Sequence, residues 1–332
     1  MTEEMKNLSR VSEVLTSNWY HCMFQCYSDI VFSTFKFYSE KEEFAAATLP
    51  VTTGSISSPM GLGSDSLPVE IKLFNQKTYL ADSMQFLLEY SLRFGKKGVF
   101  YLMPTFRGED SDERHLNQFY HSECEIVGGL SDIIRLCEDY IKNVTRYVIS
   151  QNYYKESVSE DKLSEVRSII NQENFQQITF DDAVKLLRDN NIKGVGNIDG
   201  VMTINSVGEK WLIKHFDGVV WLTKFPHKGV PFYQAYDKKD PNVALCADLL
   251  IGMGETLGCG ERANYSDVLK SLDEHKVSHE EYEWYISMKK EFPLKTSGFG
   301  MGIERYIAWL FDIDDIRKIP YVYREKNKII YP

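Results

Sequence analysis

The order of apolar and polar residues along the chain predicts helices interspersed with short strands. Apolar residues recur at helical spacing over residues 9–39, and residues 131–192 have a mostly helical pattern with a capping-box-like start at Thr179. A strand is predicted at residues 44–51. The other predicted elements are a strand at Val69–Leu73, a helix at 82–94, strands at 99–107 and 118–126, short strands over 211–252 and helices at 264–290. Because the strands follow no regular βαβ rhythm, the pattern predicts an α+β fold with an antiparallel sheet.

The segment "SGFGMGIERYIAWL" changes its period in the middle. Gly298, Gly300 and Gly302 alternate along a predicted strand, so all three lie on one face and leave it without side chains. Glycine weakens a strand and usually marks close approach by a ligand or another backbone. From Ile303 the apolar residues follow helical spacing, with Arg305 at the start of the helix. The segment therefore predicts a strand that leaves room for a flat ligand beside an arginine.

Two further strands carry unusually polar faces. On the first strand, Arg107 and Glu109 share a face with Thr105. The residues that alternation places together on the second strand are Phe119, His121, Glu123 and Glu125. Burying several carboxylates and an arginine is costly without partners, so this face either meets solvent or binds a charged ligand.

Two arginines and two carboxylates fit a nucleoside triphosphate. Arg107 and Arg305 offer guanidinium groups, which bind phosphate oxygens bidentately. Asp248 and Glu255 flank a glycine turn, and Mg²⁺ on a nucleotide takes one or two protein carboxylates. No GxxxxGK[ST] motif occurs, so side chains and metal would hold the phosphates. Taken alone, the acidic pair is more typical of a solvated loop than of a metal site.

Composition excludes some classes of protein. The formal net charge of −10 argues against non-specific binding to nucleic acid. No run of about 18 apolar residues occurs, so we expect no membrane span. Six cysteines without CxxC or zinc spacing, together with the absence of a signal peptide, favour reduced thiols in a cytoplasmic protein.

Several segments resemble, in order and spacing, the motifs of class II aminoacyl-tRNA synthetases. "TFRGEDSDERHLNQF" resembles motif 2, and "GFGMGIER" resembles motif 3. "SMQFLLE", "ADLLIGMGETLGCGER" and "IRKIPYVYRE" resemble segments of asparaginyl-tRNA synthetases, within the aspartate, asparagine and lysine subgroup. The resemblance covers roughly residues 40–325. It implies the catalytic fold that this class shares with biotin ligases, with an antiparallel six- to seven-stranded sheet flanked by helices.

The resemblance implies an ATP site. Arg107 would grip the α-phosphate and the amino-acid carboxylate, and Arg305 would contact the base and outer phosphates, so both are catalytic candidates. Phe119 would stack on adenine. The other ATP-binding residues that the resemblance implies are Glu109, His115, Gly300 and Gly302.

The same resemblance implies an amino-acid site and a metal site. Arg262 would meet the side-chain carbonyl or carboxylate of the amino acid. Asp248 and Glu255 would hold Mg²⁺ on the departing pyrophosphate. The residues implied to receive the ammonium group are Ser83, Gln85 and Glu123.

The sequence also departs from the family. The resembling synthetases carry an N-terminal anticodon-binding β-barrel, whereas here a helical segment, residues 1–40, precedes the motif 1-like strand. We therefore expect one catalytic domain over residues 1–332, without an anticodon-binding domain and with a helical insertion at 143–192. The loop "SSPMGLGSD" resembles that of the archaeal synthetase-related asparagine synthetases, which also lack the barrel. Cys259 stands where the family has glycine, and we expect it to reshape the pocket; a nucleophilic role is the less favoured alternative.

These departures favour an AMP-forming ligase as the first hypothesis. It would adenylate aspartate, asparagine or a close analogue with ATP and Mg²⁺, then pass the acyl group to ammonia or another small amine. The second hypothesis keeps tRNA or a carrier protein as the acceptor. The third is a non-catalytic regulator that senses an amino acid or uncharged tRNA. The aromatic helix within residues 9–39 also predicts a homodimer.

Overall fold

The computed structural model describes residues 3–57, 67–198 and 200–326. The strands in these ranges are, in chain order, β1 (Phe44–Ala46), β2 (Thr52–Thr53), β3 (Val69–Leu73), β4 (Gln76–Leu80), β5 (Gly98–Phe106), β6 (Gln118–Val127), β7 (Gln177–Thr179), β8 (Val195–Ile198), β9 (Val201–Ile204), β10 (Val219–Thr223), β11 (Cys246–Ile251), β12 (Gly254–Glu261) and β13 (Thr296–Gly302). The helices are α1 (Glu3–Thr16), α2 (Asn18–Ser39), α3 (Gln85–Leu92), α4 (Leu130–Ser150), α5 (Asn152–Ser157), α6 (Glu160–Ile170), α7 (Phe180–Asp189), α8 (Ser206–His215), α9 (Tyr265–His275), α10 (Glu283–Glu291) and α11 (Ile303–Phe311).

The large sheet positions the site. Its described strands follow the spatial order β1-β5-β6-β13-β12-β11-β10-β7. All neighbours pair antiparallel except β1 with β5 and β10 with β7, which pair parallel. The prediction of an α+β fold is confirmed. The strand count is eight instead of six to seven, because a strand of only three residues pairs at each edge.

The main hydrophobic core lies on one face of this sheet. Helices α2, α4 and α11 cover that face, and their buried residues include Tyr140 of α4 and Trp309 of α11. Tyr38 of α2 stacks on Phe100 of β5, with ring centroids 4.2 Å apart. Since one face is closed in this way, polar side chains of the same strands are left to the opposite face.

Smaller elements surround that opposite face. Strands β2, β4 and β3 form a separate three-stranded sheet, and β8 and β9 form a two-stranded hairpin. Helices α7 and α8 pack with β10 and β11 around a second cluster that includes Phe180, Leu212 and Leu250. No helix in the described part of the chain has the length and apolarity needed to cross a bilayer.

Three predicted elements differ from the structure. The helix expected over 9–39 is interrupted at Ser17, whose backbone is extended, so α1 and α2 are separate helices. The strand expected at 44–51 ends at Ala46. Part of the 211–252 segment, expected to be extended, lies in α8, where the side chain of Asn205 caps the helix by accepting the N–H groups of Val207 and Gly208.

Candidate active site

A cavity of about 610 Å³ opens on the polar face of the large sheet. It is lined by every site residue predicted from the sequence, from β5 and β6 through β11 and β12 to β13 and the start of α11. These residues are Ser83, Gln85, Arg107, Glu109, His115, Phe119, Glu123, Asp248, Glu255, Arg262, Gly300, Gly302 and Arg305. The sheet therefore brings together residues that lie more than two hundred positions apart in the sequence.

The glycines of β13 create less free space than the sequence suggested. Gly298 pairs with Glu125 across the sheet, and a Cβ on Gly298 would lie 2.0 Å from that carboxylate. A Cβ on Gly300 would lie 3.1 Å from the carboxylate of Glu123. Only Gly302 borders open space, since its nearest neighbour is 4.0 Å away. Protein carboxylates therefore occupy the space beside Gly298 and Gly300, and the open part of this face lies at Gly302.

Phe119 and Arg107 lie together at one end of the cavity. The guanidinium carbon of Arg107 is 5.5 Å from the centroid of the Phe119 ring, which is within cation–π range. His121 packs edge-on against the same ring at 4.8 Å. The buried Nε of Arg107 has no hydrogen-bond partner among the described residues. A ring and an unsatisfied guanidinium at one wall suit a base with an attached phosphate.

A fourth arginine that lines the cavity, Arg114, was not predicted from the sequence. Its backbone carbonyl accepts from Nε of Arg305 at 3.3 Å, while Nη1 of Arg305 donates to the carbonyl of Glu255 at 2.8 Å. The side chain of Arg114 pairs with Glu209 of α8 at 2.9 Å. Burial lowers the pKa of Arg305, and burial raises the pKa of Glu209, although both groups face opposite charges. No sequence pattern indicated Glu209, which lies between the helical segment predicted at 131–192 and the extended segment predicted at 211–252.

His115 and Glu109 have protein partners in this structure. The imidazole of His115 lies 2.8 Å from Oδ1 of Asp112, two positions after Asp110 in the same loop. The carboxylate of Glu109 accepts the backbone N–H of Leu67 at 3.1 Å. Both residues therefore line the cavity while also holding the loop between β5 and β6 in place.

Asp248 and Glu255 face each other across β11 and β12. Both side chains point at Gly258, where a Cβ would lie 3.0 Å from Glu255 and 3.3 Å from Asp248. Burial, and then the neighbouring Glu255 carboxylate, raise the pKa of Asp248 well above its ordinary value. Two adjacent carboxylates that repel each other are a donor set that suits a hard divalent cation. The described residues contain no group of three or more His, Cys, Asp or Glu arranged for a metal ion, so substrate oxygens would complete the coordination.

Glu123 is the centre of a dense hydrogen-bond network at the other end of the cavity. Its Oε2 accepts from the hydroxyl of Ser83 at 2.6 Å and from the hydroxyl of Tyr101, and its Oε1 lies 3.1 Å from His121. Burial acts to raise the pKa of Glu123, but the hydrogen bonds from His121, Ser83 and Tyr101 bring it below its ordinary value. The carboxylate is thus held in its charged form, as a receptor for an ammonium group requires.

Arg262 is neutralised by a protein carboxylate. Its Nε donates to Oε1 of Glu125 at 2.9 Å, its Nη2 contacts the same oxygen, and both side chains are nearly inaccessible to solvent. Its guanidinium carbon also lies 5.3 Å from the centroid of the Tyr233 ring. Burial raises the pKa of Glu125 to about 7 even with Arg262 beside it. The sequence placed Glu125 on this face but did not assign it to the site.

Four cavity-lining side chains carry a buried polar atom without a partner among the described residues. These atoms are Nε2 of Gln85, Nε of Arg107, Nε of Arg114 and Oε1 of Gln234. Buried polar groups are nearly always hydrogen-bonded in folded proteins, so unsatisfied ones at a cavity wall mark places for a polar ligand.

Cys259 is among the residues that line the cavity, but its side chain packs in the main core. Alternation along β12 places its side chain on the other face of the strand from the positions of Gly258 and Gly260. The side chain packs there with Phe299 and Cys137. Both roles considered for Cys259, reshaping the pocket and acting as a nucleophile, require its side chain on the cavity face of β12. The orientation of the side chain towards the core supports neither role. Most of the loop "SSPMGLGSD" lies outside the described residues; Ser57, its first residue, bonds to both carboxylate oxygens of Asp82 at 2.9 Å.

Comparison with known proteins identifies the family. Residues 2–324 match the family described as tRNA synthetases class II (D, K and N). The chain therefore belongs to the class II tRNA synthetases of the aspartate, lysine and asparagine group, and the resemblance inferred from its motifs is confirmed.

Individual relatives within this family are asparagine–tRNA ligases. The chain is 31% identical over 302 residues to the asparagine–tRNA ligase of Koribacter versatilis, covering 88% of this chain and 66% of that protein. It is 30% identical over 253 residues to the enzyme of Pyrococcus abyssi, covering 75% of this chain and 57% of that protein. The chain thus spans less than two thirds of the length of these relatives.

Solved structures show the same fold. An asparaginyl-tRNA synthetase from Pyrococcus horikoshii, complexed with asparaginyl-adenylate, superposes with a TM-score of 0.86 at 24% identity. The match covers 100% of this chain and 74% of that one. The asparaginyl-tRNA synthetase of Entamoeba histolytica, also with asparaginyl-adenylate, gives a TM-score of 0.82 at 22% identity over 99% of this chain and 72% of that one.

Proposed function

We propose that this chain forms an aminoacyl adenylate from ATP and a small amino acid, with asparagine as the favoured substrate. The observation that carries the proposal is one cavity whose lining includes the ring of Phe119, three arginines and three carboxylates: Arg107, Arg114, Arg305, Glu123, Asp248 and Glu255. A base, a chain of phosphates and an amino acid together need an aromatic surface, fixed cations and a receptor for ammonium. The two adenylate-bound structures that share this fold support the same assignment.

The chemistry requires positioning more than proton transfer. An oxygen of the amino-acid carboxylate attacks the α-phosphorus, and the bond from that phosphorus to the bridging oxygen of pyrophosphate breaks. Arg107 would stabilise the charge that develops on the α-phosphate, because its guanidinium keeps its charge and its Nε is free to donate. Arg305 and Arg114 would hold the outer phosphates, and Glu123 would fix the ammonium group so that attack is in line.

Asp248 and Glu255 are the residues that would hold Mg²⁺. The pair fits this ion, because burial and then the neighbouring Glu255 carboxylate raise the pKa of Asp248, and a divalent cation relieves the repulsion between the two carboxylates. When bound, the ion would neutralise charge on the departing pyrophosphate. In its absence, the two carboxylates repel the phosphate tail and would oppose nucleotide binding.

The side chain of the amino acid would meet a pocket without net charge. Arg262 is already paired with Glu125, so little excess positive charge is left for a ligand. The carbonyl oxygen of an amide can accept from the guanidinium, whereas a second carboxylate would be repelled by Glu125, which is buried beside the guanidinium and does not itself line the cavity. This arrangement supports asparagine over aspartate.

The second step transfers the activated acyl group from the adenylate to an acceptor. The names of the relatives support tRNA as acceptor, and we propose it in place of the ammonia or small amine that the sequence favoured. In that step the acceptor attacks the acyl carbon and AMP leaves. The non-catalytic alternative gains no support, since the arginines and carboxylates needed for activation share one cavity.

We also propose that the protein is a homodimer. Helix α2 exposes Phe24, Phe32 and Phe35, and Phe32 retains 67% of its surface. Three exposed aromatic side chains give this helix more apolar surface than is usual for a helix that faces solvent, and such a surface is typical of a protein–protein interface. Sedimentation at micromolar concentration tests this assembly, and a monomer would contradict it.

The test of the function is a product assay on the purified chain. It combines ATP–pyrophosphate exchange with a panel of amino acids, followed by assays of AMP, aminoacyl-tRNA and new amide. We expect asparagine-dependent exchange and charged tRNA. Exchange with amide formation from ammonia would restore the first hypothesis, and absence of exchange with every amino acid would overturn activation itself.

A matched pair of variants links the activity to the cavity. Arg107→Lys removes the planar fork and should reduce exchange by about 100-fold or more, as the loss of one charge-stabilising donor does in other enzymes. The control is Arg146→Lys, because Arg146 donates to the carbonyl of Ile170 at 3.0 Å and does not line the cavity. Equal activity in both variants would refute the role of Arg107.

A further inference from the structure

Glu304 lies where the central sheet ends beside the nucleotide end of the cavity. The ladder between β6 and β13 stops at the pair His121–Gly302, because Ile303 begins α11. The next N–H of β6, that of Tyr120, therefore has no strand partner. It donates to both carboxylate oxygens of Glu304, at 3.1 and 3.3 Å. The carboxylate thus takes the place of a strand at this point.

Tyr27 of α2 completes the surroundings of this carboxylate. Its hydroxyl donates to Oε1 of Glu304 at 2.9 Å, across 277 positions of sequence. Its ring also packs edge-on against the ring of Tyr120, with centroids 5.8 Å apart. One residue of α2 therefore contacts both partners of the link between β6 and α11.

The environment makes the Tyr27 hydroxyl important to Glu304. The carboxylate is 2% exposed, and burial raises its pKa to about 7. The donors that the described residues give it are neutral: the hydroxyl of Tyr27 from α2, the N–H of Tyr120 from β6 and its own N–H. The neighbouring guanidinium of Arg305 is directed elsewhere, towards the carbonyls of Arg114 and Glu255. Removal of the hydroxyl would leave one oxygen of a buried charge poorly satisfied.

We propose that Tyr27 is a positioning residue for the nucleotide end of the site and acts through Glu304. Phe119 directly precedes Tyr120 in the chain, and Arg305 directly follows Glu304. The bond between Tyr120 and Glu304 therefore sets the spacing between the aromatic ring and the guanidinium. The inference rests on the proposed function only for the part of its test that measures activity.

The first test is a double-mutant cycle between Tyr27→Phe and Glu304→Gln, read as steady-state constants for exchange. A hydrogen bond to a charged group corresponds to about tenfold or more in an equilibrium constant, so we expect Tyr27→Phe to raise the KM for ATP by about tenfold. The KM for the amino acid should stay within about twofold of wild type. The double variant should be no worse than Glu304→Gln alone. An unchanged KM for ATP in Tyr27→Phe, or additive effects in the double variant, would overturn the proposal.

The pH profile gives a second readout. Loss of the hydroxyl disfavours the charged carboxylate, so the acid limb of kcat/KM for ATP should move to higher pH by about one unit in Tyr27→Phe. Glu304→Gln should abolish the part of that limb due to Glu304. A profile in Tyr27→Phe that superposes on that of wild type would contradict the mechanism.

Tyr154→Phe serves as the control for general loosening of the core. Tyr154 is fully buried, and its hydroxyl donates to the carbonyl of Leu310 at 2.8 Å. The substitution removes the same atom, so thermal unfolding should show a comparable loss of stability, while the KM for ATP stays unchanged. A similar rise in KM in both variants would show that Tyr27 has only a structural role.

Measurements without turnover separate this inference from the proposed function. Isothermal titration with ATP should show weaker binding by Tyr27→Phe than by wild type. Carbon-13 NMR of labelled glutamate carboxyls, with Glu304 assigned by its loss in Glu304→Gln, should show a higher pKa in Tyr27→Phe. Unchanged binding and an unchanged pKa would overturn the inference. A wild-type protein that binds ATP but forms no adenylate would overturn the proposed function alone.

Discussion

The charge of Glu125 offers a quantitative test of amino-acid discrimination. Glu125→Gln keeps an oxygen that can accept from Arg262 but removes the negative charge beside the guanidinium. For a second substrate carboxylate on the far side of the guanidinium, we assume a distance of about 6 Å from Glu125 and apply Coulomb's law. At an effective dielectric constant of about 20, the repulsion removed is about 3 kcal/mol, or about 100-fold in relative specificity.

The assay is ATP–pyrophosphate exchange with asparagine and with aspartate, measured as the ratio of their kcat/KM values. Glu125→Gln should raise the ratio of aspartate to asparagine by up to about 100-fold at pH 8. The pKa of Glu125 is raised to about 7, so wild type is neutral at this position below pH 7 and charged above it. The wild-type ratio should therefore fall as pH rises through 7, whereas the ratio of the variant should stay flat.

The control variant is Glu138→Gln. Glu138 is also buried and ion-paired, with Lys142 at 3.2 Å, but it lies on α4 in the core and its other hydrogen-bond donors are Trp221 and the N–H of Phe175, not Arg262. Its substitution should leave the ratio unchanged at every pH. A ratio that depends on neither pH nor the charge at position 125 would refute the reasoning that Glu125 selects against a second carboxylate.

Three further outcomes follow from the structure. Phe119→Ala should raise the KM for ATP by roughly 5- to 150-fold, because it removes the stacking surface, with little effect on the KM for the amino acid. Asp248→Asn should raise the Mg²⁺ concentration needed for half-maximal exchange, and an unchanged requirement would remove Asp248 from the metal site. Gly298→Ala should lower the free energy of unfolding by about 1–3 kcal/mol in urea denaturation, since its Cβ would collide with Glu125. Gly54→Ala is the control, because a Cβ there would meet nothing within 4 Å.

Much of the site could be predicted because it depends on local patterns. Alternating glycines followed by helical spacing from Ile303 correctly indicated β13 and α11, since periods of 2 and 3.6 residues differ clearly. Alternation likewise placed Phe119 and Glu123 on one face of β6. The motif resemblance then brought residues from distant segments into one proposed site, which spacing alone cannot do.

The remaining features depend on long-range packing. That Glu125 fills the space beside Gly298 is decided by strand register, which neither strand reveals alone. Glu209 reaches Arg114 because the Asn205 cap begins α8 in a stretch that lies outside every predicted element. The inward orientation of Cys259 follows from its place on β12, one position from each of two glycines. In each case tertiary contacts outweigh the local preference.

The order of strands also constrains how the molecule can be made. Strand β13 lies between β6 and β12, although the ribosome synthesises it more than thirty residues after the later of the two. Until β13 emerges, each neighbour presents a bare edge with unpaired N–H and C=O groups, the kind of surface that recruits foreign strands. We therefore expect nascent chains stalled before residue 296 to depend on chaperones, and full-length chains to gain protease resistance in one late step.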